Sequence, residues 1–307
     1  MRYANLDGSS RASSIARILR WKAGLHAEKR PRTPATGVPV PAVQNDGRSL
    51  RAAAHDALTW IGHATFLVQL GGASALIDPV MAPKIAGFIP RNVAPGLAWQ
   101  ALPKIDLVLV THNHRDHMDA PTLARLGPDP VYVVPQGLGE WFRRAGLPRV
   151  LEMAWWQAEE VAGIKVSFVP AEHWSRRGLF DVNRTWWGGY VLERGGLRVY
   201  HSGDTAWFDG FGLIGERCGP IDAAMLPIGA YAPRWFMRRQ HMDPADAVRA
   251  FRALGAARFV AMHWGTFKLT DEDLLEPPQL LHEVWQRENM ASGRLAVPAI
   301  GETLRLG

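Results

Sequence analysis

Short apolar runs punctuated by turn residues dominate the first third of the chain after residue 57. Residues 58–61, 66–70 and 75–77 are three such runs, with Gly71-Gly72 between the second and third, the pattern of a β-hairpin followed by a further strand. Residues 105–110 are apolar apart from Asp106 and of strand length, as suits the middle of a sheet covered on both faces. Strand character returns at 131–134, 164–169, 189–192, 199–200, 223–226 and 259–262. Between them, Asp119 is placed to cap a helix through Leu126, residues 136–145 carry a helical apolar face, and Asp243 is placed to cap a helix over 244–254 that begins with a tolerated proline. This order predicts a layered α/β protein rather than a helix bundle or an all-β sandwich. The chain shows no internal repeat and no low-complexity tract.

Charge changes the picture at one end. The chain carries a net +6, yet residues 1–51 alone hold ten Lys/Arg against Asp7, Glu28 and Asp46, so the excess lies in a basic N-terminal arm. Residues 15–25 suit a short helix, and residues 33–43, rich in Pro, Thr, Gly and Val, read as an extended linker. The expected division is an arm and linker over 1–50 and a catalytic domain over 51–307. The arm is open to a solvated tail, an anionic lipid surface or nucleic acid. No apolar run approaches the ~18 residues of a membrane span, and the first thirty residues lack the apolar centre of a secretory signal, so the expected compartment is the cytoplasm. A single cysteine, Cys218, excludes a disulfide framework and a cysteine-rich zinc module. Any metal must therefore be held by histidine and carboxylate.

Such residues cluster directly after the apolar strand at 105–110. The stretch Thr111-His112-Asn113-His114-Arg115-Asp116-His117 holds four potential ligands. Two histidines at i and i+2 on extended chain point to one side, while Asp116 and His117, beyond a turn, face a neighbouring point; the arrangement suits two metals side by side. Clustering these groups at a strand end is unfavourable without a cation to bind them.

His-x-His-x-Asp-His after a buried strand resembles the signature of the metallo-β-lactamase fold superfamily. The resemblance implies a four-layer αββα sandwich and three later ligands, matched in order by His173, Asp204 and His263. By that similarity His112, His114 and His173 hold a first metal, Asp116, His117 and His263 a second, and Asp204 bridges them. Five imidazoles and two carboxylates favour zinc, with iron or manganese open by ligand type. Two divalent cations outweigh two aspartates and a bridging hydroxide, so the centre attracts anionic esters, and the hydroxide is a nucleophile at neutral pH.

Longer phrases resemble one group within the superfamily, the N-acylphosphatidylethanolamine-hydrolysing phospholipases D and their bacterial relatives. They are Gly62-His63-Ala64-Thr65, residues 111–119, Thr185-Trp186-Trp187-Gly188-Gly189, residues 227–237, His241-Met242-Asp243-Pro244, His263-Trp264-Gly265-Thr266-Phe267 and Glu276-Pro277-Pro278. The resemblance implies cleavage of a glycerophospholipid to phosphatidate and an N-acylethanolamine, with Asp116, Asp204 and His241 in the catalytic set. Where the group commonly has Tyr, this chain has Arg115, open between gripping a phosphate oxygen and pointing to solvent. Gln240 and His241 match positions near the metal site. His241 is open between phosphate binding, protonation of the leaving alkoxide and capping the helix near Asp243. His63 is open between a second-layer and a structural role, and His26, His55, His201 and His282 are read as structural or surface residues.

Residues 231–239 join Tyr231, Trp235, Phe236 and Met237 to Arg234, Arg238 and Arg239, a mixture that favours a membrane interface. They are expected to form a lipid-entry rim, with a loop packed beneath the sheet as the alternative. The leading expectation is thus a zinc phosphodiesterase working on phospholipid at a membrane surface, peripheral on its inner face, with a homodimer implied by the resemblance. The other readings are a soluble lactonase or phosphoester hydrolase of the same fold, a nuclease, which lacks a separate nucleic-acid module here, and a non-catalytic metal-binding protein at the membrane.

Overall fold

The computed structural model describes residues 2–12, 14–28, 30–52 and 55–307; Lys29 of the basic arm lies outside them. Two seven-stranded sheets form its centre. The first runs in spatial order Thr303–Arg305, Ala57–Gly62, Thr65–Leu70, Ala73–Ile77, Leu107–Leu109, Val131–Pro135, Val150–Met153. The second runs Leu295–Ala296, Arg258–Met262, Ala223–Pro227, Leu197–His201, Gly189–Arg194, Ile164–Val169, Ala158–Val161. Gly71 and Gly72 turn the hairpin between Thr65–Leu70 and Ala73–Ile77, both with positive φ.

Strands buried on both faces explain the continuous apolar runs of the sequence. Phe66, Val68 and Leu70 face the second sheet's Val166, Phe168 and Tyr190 in one core, while Leu67 points the other way, into a second core with Val108, Tyr132, Leu123 and Phe142. Helices cover both outer faces: Ala120–Leu126 and Gly139–Arg144 pack on the first sheet, and Gly210–Cys218, Pro244–Leu254 and Glu276–Arg287 on the second. The result is the expected four-layer α/β arrangement. Asp119 and Asp243 cap their helices as the sequence predicts, accepting from the N–H of Thr122 and Asp246, each cap contributing about 1 kcal/mol. The helix expected over 136–145 is shorter, Gly139–Arg144, because Gln136 hydrogen-bonds to Met153 and continues the strand ladder.

The arm lies along this body. Ser14 caps the helix Ile15–Lys22, whose Trp21 indole donates to Asp271 at 2.8 Å and whose Arg17 donates to the Trp235 carbonyl at 3.0 Å. Arg30 pairs with Glu276 at 2.5 Å, and in the linker the Val43 N–H donates to the carbonyl of Ile300, which lies outside the named strands, just before the edge strand Thr303–Arg305. No described helix is long and apolar enough to cross a membrane.

Candidate metal centre

All the candidate ligands stand where strands end on one side of the sandwich. His112 and His114 follow Leu107–Leu109, with Asp116 and His117 a turn later; His173 follows Ile164–Val169, Asp204 follows Leu197–His201 and His263 follows Arg258–Met262. Gly203 makes the Asp204 turn possible: it has φ 60°, and a Cβ there would lie 2.8 Å from the Gly188 carbonyl oxygen.

The structure brings the seven together in two groups. His112 Nε2 and His173 Nε2 lie 2.8 and 3.2 Å from His114 Nδ1. Asp116 Oδ2 lies 3.6 Å from His117 Nε2 and 3.8 Å from His263 Nε2. Asp204 spans the gap, with Oδ2 3.2 Å from His117 Nε2 and 3.9 Å from His173 Nε2, and Oδ1 3.1 Å from His263 Nε2. His63 joins the second group through its Nε2, 3.1 Å from Asp116 Oδ2. His241 does not cap the following helix, a role taken by Asp243; its Nδ1 lies 3.8 Å from Asp204 Oδ2.

Outer partners aim the rings. His117 Nδ1 donates to Asp78 Oδ2 at 2.7 Å, and Asp78 in turn accepts from the Thr111 N–H and hydroxyl. Because that hydroxyl's proton goes to Asp78, its oxygen accepts from His112 Nδ1 at 3.0 Å. His173 Nδ1 donates to the Gln240 carbonyl at 2.9 Å. These contacts leave each Nε2 facing inward, and with a metal bound the outer nitrogen would keep the ring's one proton, the tautomer coordination requires. His201 is structural, held between the Ala64 carbonyl and the Gly203 N–H.

The electrostatics favour a cation. Burial pushes the His173 and His63 imidazoles down to about 3 and His114 to about 4, and pushes His112 well below its ordinary value with help from neighbouring histidines, so these rings are neutral donors. Against burial, His117 and His263 hold Asp204 well below the usual carboxylate range, as His117 does Asp116. The aspartates reciprocate: despite burial, Asp204 and Asp116 raise His117 well above the ordinary imidazole value and His263 to about 9. A pocket that draws protons onto two buried rings is one that demands positive charge. His117 Nε2, His263 Nε2, Asp204 Oδ1 and His241 Nδ1 are buried without a hydrogen-bond partner among the described residues, which also fits metal coordination. Four non-glycine residues of this region, His63, Asp78, Ala230 and His263, have φ between 44° and 63°, a strain on the order of 1–3 kcal/mol each that functional sites concentrate.

The cluster forms the floor of a cavity of about 670 Å³. His114, Asp116, Asp204, Gln240 and His241 reach it, and Ile18, Trp21, Trp174, Phe236 and Met237 supply apolar wall. Arg115 is exposed at its edge and donates to the Arg177 carbonyl at 3.3 Å. Three of the expected substrate-binding residues are not on this surface. Tyr231 is 2% exposed with its hydroxyl on Glu276, Trp235 lies under the arm against Arg17, Arg20 and His26, and Arg238 faces solvent elsewhere. The expected rim at 231–239 is thus divided: the arm covers Tyr231 and Trp235, Arg238 faces solvent away from the cavity, and Phe236 and Met237 form part of the cavity wall. The exposed mouth comes from loops not singled out in the sequence. Phe88 and Leu179, 72% and 76% exposed, face the cavity from two loops, and Phe180 beside Leu179 is 82% exposed. Asp78, Asn5 and this mouth were missed. Asp78 alone carried a signal, an acidic residue at the end of the buried strand Ala73–Ile77.

A family model described as a beta-lactamase superfamily domain matches residues 74–264. N-acyl-phosphatidylethanolamine-hydrolyzing phospholipase D 1 of Caenorhabditis elegans is 36% identical over 264 residues, 80% of this chain and 74% of that protein. A UPF0173 metal-dependent hydrolase of Nitratidesulfovibrio vulgaris is 34% identical over 228 residues, 70% of this chain and 83% of that one. Among solved structures, Igni18, a metallo hydrolase from Ignicoccus hospitalis, superposes with a TM-score of 0.61 at 24% identity, covering 83% of this chain and 99% of its own, a likeness of fold.

Proposed function

The chain belongs to the metallo-β-lactamase superfamily and is a metal-dependent hydrolase of that fold, and from this premise we propose that it is a phospholipase D-type phosphodiesterase with paired zinc ions, acting on N-acylphosphatidylethanolamine-like glycerophospholipids at a membrane surface. The observation that carries the reading is the cavity itself: a cluster of histidines and aspartates at its floor, apolar walls, and a mouth where exposed Phe88 and Leu179 stand near Arg115, Arg176 and Arg177. Such a site matches a ligand with a phosphodiester at one end and acyl chains at the other.

His112, His114 and His173 would hold one ion, and Asp116, His117 and His263 the other, with Asp204 between. Bound metal supplies Lewis acidity toward phosphoryl oxygens and a water acidified enough to act as nucleophile at neutral pH. The chain's own groups do the rest. Asp78, Thr111 and the Gln240 carbonyl hold the ligand rings in orientation. His241, kept neutral by burial that pushes it to about 3, binds a phosphoryl oxygen as a hydrogen-bond donor. Arg115 steers the anionic group toward the floor, and apolar walls exclude bulk water. Exposed apolar side chains flanked by arginines suit the headgroup layer of an anionic bilayer, where rings and aliphatic chains insert and guanidinium groups meet phosphate.

Product identification by mass spectrometry after incubation with phospholipid vesicles tests the proposal. Phosphatidate and N-acylethanolamine support it; diacylglycerol, lysolipid, or turnover confined to water-soluble esters would replace it.

A further inference from the structure

A side chain from the far end of the sequence reaches the metal centre. Asn5, 4% exposed, accepts at Oδ1 from the His173 backbone N–H at 3.1 Å, and its Nδ2 donates to the His173 carbonyl at 3.1 Å. One amide thereby satisfies both main-chain groups of a single candidate ligand. The same Oδ1 accepts from the Trp187 indole at 3.0 Å. Asn5 is itself anchored, since the Gly8 N–H donates to its carbonyl and its own N–H donates to the Ser9 carbonyl, closing a tight loop, while the Tyr3 N–H donates to the Asn183 carbonyl. Six residues on, Arg11 pairs with Glu172, the buried neighbour of His173. His173 is thus gripped from two sides by groups that are not metal ligands: Asn5 fixes its backbone and the Gln240 carbonyl its ring.

We propose that Asn5 is a positioning residue that sets the metal affinity of the His112–His114–His173 half of the centre, so that the N-terminal segment is a working part of the site. The inference rests on the paired-metal reading above. The physics is local. Without the amide, the buried N–H and carbonyl of His173 lose their partners, and the loop shifts to regain them, carrying Nε2 off its aim. The other group, Asp116, His117 and His263, makes none of these contacts with Asn5.

The test is chelator competition on full-length wild-type, Asn5→Ala and Asn5→Asp proteins loaded with Zn²⁺, counting bound metal, with the absorption spectrum of the Co²⁺-substituted forms as a second readout. Asn5→Ala is expected to weaken one of two metal equivalents by about 10–100-fold and leave the other unchanged, the usual scale for outer partners of metal ligands. Asn5→Asp, which keeps the acceptor for both N–H groups but loses the donor, is expected to fall between, and carries the comparison if the alanine variant does not fold. Unchanged affinity at both sites, or parallel weakening of both, overturns the proposal. Wild-type protein that binds fewer than two equivalents overturns the paired-metal reading instead.

Discussion

The floor and the mouth of one cavity are built by opposite means. The floor is over-determined: His117 is fixed by Asp78, Asp78 by Thr111, His173 by Gln240 and Asn5, and every one of these groups is buried. The mouth is made of side chains that touch little, with Phe88, Leu179 and Phe180 each more than 70% exposed on loops. The proposed function accounts for the contrast, since chemistry at a metal needs rings held to a fraction of an ångström, whereas a bilayer would be a fluid partner that asks only for apolar surface and positive charge at the right height. One protein therefore spends its packing on one end of the cavity and leaves the other loose.

That contrast can be broken in three places. The largest effect is expected at the floor: Asp204→Asn removes the carboxylate between the two groups and should lower turnover by about 10³-fold, while circular dichroism and melting show a folded chain. Wild-type turnover by that variant would remove Asp204 from the site. One layer out, Asp78→Asn leaves the shape but frees the His117 tautomer, and metal affinity should fall by about 10–100-fold in a chelator titration. At the mouth, the triple change Phe88→Ser, Leu179→Ser and Phe180→Ser should reduce turnover of lipid in anionic vesicles several-fold and leave that of a short-chain water-soluble analogue unaltered, because exposed apolar side chains add little to the fold. Equal loss on both substrates would make these loops part of the chemistry rather than of docking.

The same contrast explains what could be read in advance. Four ligand-type side chains crowd the end of one apolar run, so His112, His114, Asp116 and His117 were visible from pattern alone, whereas His173, Asp204 and His263 are single residues at other strand ends and were legible only through the resemblance to the superfamily. The layered fold was visible from pattern as well, since strands buried on both faces leave uninterrupted Val, Leu and Ile. The cavity mouth follows no such rule. Tyr231, Trp235 and Arg238 have the composition of a membrane rim, yet the arm lies over the two aromatics, a contact across more than two hundred residues that local pattern does not encode. Phe88, Leu179 and Phe180 sit in Gly-flanked loops, where a large apolar residue reads the same whether it is buried or exposed. Asn5 lies 168 positions from His173, and an asparagine in a polar tail carries no mark of its task.

The proposed function requires metals at the floor of the cavity to drive cleavage of phospholipid. Titrating metal-stripped protein with Zn²⁺ while following release of N-acylethanolamine from vesicles tests this directly. Activity is expected to be absent from the stripped chain and to rise to a plateau at about two equivalents, as a paired centre requires. Full activity in the stripped protein, or a metal-restored enzyme that leaves phospholipid intact while hydrolysing soluble esters, would contradict it.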